Sequence, residues 1–93
     1  MIGRASEKIP NGKLVKVEVE YDSMIRRVKI TGDFFLHPED AINQIEQSLA
    51  GASVYDDEGL LAERVRRVVE SSGAIVVGFT PEALVRIVKG AMK

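Results

Sequence analysis

Polar and apolar positions alternate in the first third of the chain and recur at intervals of three and four after it. Val15, Val17, Val19 and Tyr21 share one parity, and Lys16, Glu18 and Glu20 take the other. That period of two belongs to a strand with one face buried and one wet, which suits an antiparallel sheet. Before it, Ala5 to Ile9 is weakly patterned and charged and reads as a short edge strand. The intervening Pro10-Asn11-Gly12-Lys13 contains Asn-Gly, the strongest short hairpin signal. After it, Asp22-Ser23 turns the chain into Met24 to Thr31, where Val28 and Ile30 continue the apolar face. Ile25 is out of phase with them, which predicts a bulge or a turn longer than two residues. A three-stranded meander with one apolar face requires a layer to cover it.

The alternation stops at Lys29-Ile30-Thr31-Gly32-Asp33-Phe34-Phe35, and helical periodicity follows. His37-Pro38-Glu39-Asp40 reads as the start of a first helix, with proline at the first helical position and two carboxylates in the first turn. Ile42, Ile45 and Leu49 form its stripe and Gly51 its stop. A polar connection, Ala52 to Glu58, ends in Asp56-Asp57-Glu58, read as capping groups for a second helix rather than as a metal site. That helix, about Leu60 to Ser72, buries Leu61, Val65, Val68 and Val69, and Gly73 closes it. Its other side carries Arg64, Arg66 and Arg67, a solvated face in which Glu63 can pair with Arg67, or an anion-binding patch. Ala74 to Val77 is apolar and bounded by glycines, hence a brief strand or extended segment packed in the core. Thr80-Pro81-Glu82 opens a third helix as N-cap, first residue and first-turn acid, and Leu84, Val85, Ile87, Val88 and Ala91 give it a wide apolar side. The expected fold class is α+β: a three-stranded antiparallel meander covered on one face by about three helices, with a short extra extended segment near Ile75 to Val77, in two layers.

Composition narrows the function classes. Ninety-three residues suit one domain, 1–93. The 13 basic and 14 acidic residues are interspersed along the chain, so no broad positive field is expected and nucleic acid is not the expected partner. Without cysteine there are no thiolate nucleophiles or iron–sulfur ligands, and one histidine excludes a His-rich metal site. No apolar run approaches membrane-spanning length, and the N-terminus lacks a signal-peptide core, so a cytoplasmic protein without a membrane partner is expected.

The candidate chemistry is sparse. His37 precedes a proline, where a capping or loop role outweighs catalysis. Gly12 and Lys13 at the hairpin tip resemble a minimal phosphate cradle, backbone N–H groups beside a point charge, although a plain hairpin needs no ligand. Asp33 forms the turn or presents a carboxylate to a partner. Phe34 and Phe35 either both close the end of the sheet or divide the work, one anchoring a partner. The candidates are therefore Gly12 and Lys13 near phosphate and Gly32, Asp33, Phe34 and Phe35 at an interface, with no metal site and no catalytic residue of the chain's own.

The series Asn11-Gly12-Lys13-Leu14-Val15, Tyr21-Asp22, Lys29 to Phe35 and Phe79-Thr80-Pro81-Glu82 resembles the small accessory domain of lipoate–protein ligases. The likeness runs from about Gly3 to Met92. Asn11 and Ser23 depart from it, standing where the family often has glycine. The resemblance implies the separate-subunit, archaeal-type form, in which a large catalytic subunit holds lipoate, ATP and Mg²⁺. The small subunit is then needed for formation of lipoyl-adenylate, before transfer to the lysine of a lipoyl-domain acceptor protein. It also implies a fold shared with sulfur-transfer and iron–sulfur scaffold proteins, which work through cysteine and so do not supply the function here. The reading of another class is a free-standing interaction module that regulates an unrelated enzyme.

Overall fold

A computed structural model describes residues 1–10 and 13–93; the Asn-Gly hairpin tip, including the phosphate candidate Gly12, lies outside the described residues. Strands β1 (Ile2–Ile9), β2 (Lys13–Tyr21) and β3 (Ile25–Gly32) form an antiparallel sheet in sequence order. Helices α1 (Ala41–Leu49), α2 (Glu58–Ser72) and α3 (Pro81–Ala91) cover one face, and β4 (Phe35–His37) pairs antiparallel with β5 (Ile75–Val77) in a separate two-stranded ribbon. This is the α+β architecture that the periodicity predicts. The edge strand is longer than expected, because every residue from Ile2 to Ile9 finds a partner in β2, Ile2 opposite Glu20 and Ile9 opposite Lys13.

Parity decides the sheet's inner face. Val15, Val17 and Val19 of β2 and Val28 and Ile30 of β3 are all buried. The out-of-phase Ile25 is fully buried as well, because the register shifts between Glu20 opposite Arg27 and Tyr21 opposite Ile25. One extra residue on β3 returns Ile25 to the inner face, which is the work of a bulge. Against this face α1 lies over β3, and α3 over β1 and β2, while α2 packs on the two other helices. Ile45, Leu49, Leu61, Val65, Leu84, Val85 and Val88 are among the deepest helical side chains.

The helix ends follow local chemistry. Asp57 accepts from the Leu60 amide at 2.8 Å and Thr80 from the Ala83 amide at 3.1 Å, each satisfying an N–H that the first turn leaves without a partner. Gly73 ends α2 in the left-handed region, φ +67°. The start of α1 differs from expectation. Pro38 is not its first residue: His37 belongs to β4, Pro38 to Asp40 form a turn, and the helix begins at Ala41 with Asp40 as an N-cap that makes no side-chain bond. The reason is a long-range pairing, since β4 takes Phe35 to His37 into extended structure against a segment some forty residues away.

Candidate functional site

The candidates that the structure describes gather at one end of the molecule. Gly32 ends β3 where the backbone passes so close to β2 that an added Cβ would stand 2.1 Å from the Leu14 carbonyl oxygen. Asp33 continues the ladder by one more rung. Its amide donates to the Leu14 carbonyl at 3.1 Å, and its carboxylate accepts from the Leu14 amide at 2.5 Å, so the side chain does what the next strand carbonyl would have done. One oxygen of this exposed carboxylate is thus engaged in the chain's own fold.

The two phenylalanines divide. Phe34 is half-buried, its ring meeting that of Phe79 edge to face with centroids 5.0 Å apart, and Phe79 is only 7% exposed. Phe35 is 57% exposed. Strand alternation makes the difference: in β4 Leu36 points to the core while Phe35 and His37 point out. Across the ribbon Phe35 stands opposite Val77 and His37 opposite Ile75, with Val76 on the inner side. Val77 and Ile75 are 51% and 58% exposed. Ile75 to Val77 is thus a strand, as expected, but not one packed in the core. Two of its three side chains join Phe35 in an apolar outward face. His37 is in that face too, in neither a helix cap nor a loop.

Lys13 opens β2 beside this face. Its stem crosses Gly78: a Cβ added there would be 2.9 Å from both the Lys13 Cγ and the Phe34 Cβ. Gly78 also holds φ +120°, so this close passage needs glycine on both counts. No carboxylate among the described residues lies within ion-pair distance of the Lys13 ammonium. Next to Phe35 a groove of about 380 Å³ runs between β3 and α1, with Thr31, Phe34, Leu36 and Ile42 in its walls.

The arginines of α2 are largely engaged. Glu63 accepts from Arg66 at 2.8 Å and from Arg67 at 3.3 Å, contacts that hold its carboxyl below the usual range, the Arg66 bond contributing most. Arg66 also bridges to Glu82 of α3, and Arg64 donates to the Ser48 carbonyl at 3.2 Å. This is the solvated, paired face. Among the described residues no three His, Asp or Glu side chains converge in a way that would hold a metal ion.

No family model matches the chain. It is 30% identical over 80 residues, 82% of this chain and 77% of the relative, to lipoate–protein ligase A subunit 2 of Thermoplasma acidophilum. Among solved structures it is similar to a chain from a structural analysis of an archaeal lipoylation system, a bipartite lipoate–protein ligase and its E2 lipoyl domain from the same organism. The TM-score is 0.73 at 28% identity, over 94% of this chain and 93% of that one.

Proposed function

The chain belongs to the family of lipoate–protein ligase A second subunits, and from that membership we propose that it is the accessory subunit of a two-part ligase, docked on a separate catalytic subunit as a heterodimer. The pair activates lipoate with ATP to lipoyl-adenylate and then transfers the lipoyl group to a lysine of a lipoyl domain. In this reading ATP, Mg²⁺ and lipoate sit in the catalytic subunit's site. This chain binds beside that site, covers it and lends a cation.

The observation that carries the reading is the outward face of Phe35, Ile75 and Val77, three large apolar side chains on a ribbon whose own fold leaves more than half of each in water. Apolar groups clustered in this way mark an interaction surface. Adenylate formation gathers negative charge on phosphate oxygens and must be kept from water. A second body closed over the site through this face excludes solvent, and the Lys13 ammonium beside it adds positive charge where that charge develops.

ATP–pyrophosphate exchange with the catalytic subunit, with and without this chain, tests the proposal. Lipoate-dependent exchange is expected only with both subunits, and exchange by the catalytic subunit alone at the full rate would refute the accessory role. Lys13→Ala is expected to lower exchange at saturating subunit concentration by roughly tenfold or more, as loss of one stabilising cation does. Its urea midpoint should stay at the wild-type value. Unchanged exchange would remove Lys13 from the phosphate environment and leave the docking role standing.

A further inference from the structure

The helices cover one face of the sheet, and the other is open. Its residues follow from the strand parity and the register. Arg4, Lys8, Lys16, Arg27 and Lys29 point outward, with only Glu18 and Glu20 among them, a surplus of three positive charges. The whole chain is at −1, so everything else carries −4. Charges that alternate along the sequence are therefore sorted by face in the fold. Glu18 is taken by Arg4 at 2.8 Å, and no carboxylate among the described residues pairs with Lys8, Lys16, Arg27 or Lys29.

The face is also shaped. A shallow cleft of about 460 Å³ crosses it, with Arg4, Lys16, Lys29 and Thr31 in its lining. Thr31 also lines the groove beside Phe35. The charged face and the apolar end are thus parts of one continuous surface.

We propose that this open sheet face receives an acidic surface of the catalytic subunit, and that it governs how fast the heterodimer forms. The inference rests on the docking proposed above and adds a second contact of different chemistry. An apolar anchor slows dissociation, whereas exposed charges of one sign steer the encounter and set the association rate. A nucleic acid fits the face less well, because Glu18 and Glu20 stand in the path a phosphate backbone would follow and no aromatic ring is there to stack on. A second copy of this chain, offering its acidic remainder, is the other candidate and is tested beside it.

The experiment measures association and dissociation rates with the catalytic subunit at low and high salt for wild type, for Lys16→Glu with Lys29→Glu, and for Arg67→Glu on α2 as a charge control. Circular dichroism and urea midpoints confirm folding, and Arg27→Glu stands in if the double variant is unfolded. The expected result is wild-type association that falls at least roughly tenfold with salt and a reversed face that associates as slowly at low salt as wild type does at high salt. Dissociation rises by much less than association falls, saturated exchange activity stays unchanged, and the control keeps the wild-type rates. Association indifferent to salt and to charge reversal overturns the proposal. So does self-association of the isolated chain at low salt that the reversal abolishes, or equally salt-dependent binding of a random oligonucleotide. If wild type does not bind the catalytic subunit at all, the docking proposal falls and this one falls with it. Docking that persists without the charge effect overturns only this one.

Discussion

Replacing each of the adjacent phenylalanines by alanine separates folding from docking. Phe35 is 57% exposed, so most of its ring contributes nothing to this domain's own core. An aromatic side chain offers ~200 Å² for burial; slightly over half of that, at ~25 cal/mol per Å², leaves about 3 kcal/mol to be gained when a partner covers it. Within the chain the covered remainder of the ring, which stands opposite Val77 across the ribbon, is worth up to about 2 kcal/mol on the same scale. Phe34→Ala is the opposite case. It removes a half-buried ring and the edge-to-face contact with Phe79 at 5.0 Å, and should cost the isolated chain about 2–3 kcal/mol, below the range for a fully buried phenylalanine.

Urea unfolding of the isolated chains and calorimetric titration against the catalytic subunit measure the two quantities. Phe35→Ala is expected to lower the urea midpoint by less than Phe34→Ala does and to raise the Kd by about 30- to 150-fold, the equivalent of 2–3 kcal/mol. Phe34→Ala is expected to lower the midpoint clearly. A Phe35→Ala chain as destabilised as Phe34→Ala would show that the ring belongs to the core, and a Kd within threefold of wild type would show that the outward face is not the docking surface. Either result refutes the division of labour between the two rings.

Three further outcomes follow from the same end of the fold and from the turn at the other end of β2. Gly78→Ala places a Cβ at φ +120° and 2.9 Å from Phe34 and Lys13, and should destabilise the chain by about 1–3 kcal/mol in thermal denaturation while disturbing both side chains. Asp33→Ala strips the Leu14 amide of its acceptor and should cost about 0.5–1.5 kcal/mol, with Asp33→Asn recovering most of it because an acceptor oxygen remains; equal losses would mean that the charge rather than the bond matters. Asp22 accepts from the Met24 amide at 2.9 Å and from Arg26 at 3.1 Å, contacts that depress its pKa, the Met24 bond most. A depressed acid contributes fully above its unfolded pKa and loses that contribution as pH falls through the folded value. The Met24 amide resonance should therefore shift only below about pH 4 and become flat in Asp22→Asn.

The main sheet was legible because a period of two repeats often enough in it to be counted. Val15, Val17 and Val19 declared the inner face, Ile25 by its wrong parity declared a bulge or a longer turn, and Asp57, Thr80 and Gly73 declared helix ends through chemistry that acts within three residues. The ribbon was not legible in the same way. Each of its strands has three residues, too few for a period, and their pairing spans the sequence from Phe35 to Val77. The same gap misplaced the start of α1, since His37-Pro38-Glu39-Asp40 satisfies the local rules for a helix start and only the distant partner of His37 overrides them. The charge sorting was present in the alternation of β2 but became a surface only when β1 and β3 were set beside it in register.

Why Phe35 is exposed can be argued from its neighbours. Gly32 lets β3 close against Leu14, and Gly78 lets the chain before α3 press against Phe34, which fixes Phe34 inward on Phe79. Leu36, two residues on, is also inward at the rim of the core, and β4 is extended from Phe35 to His37. Alternation then gives Phe35 no inward direction to take. The same holds in β5, where an inward Val76 leaves Ile75 and Val77 outside. At all three outward positions the fold sets the direction of the side chain and covers less than half of it, so the larger part of each apolar group is left without a partner in the chain. Large apolar residues clustered at positions that leave more than half of each in water are explained by a surface that covers them.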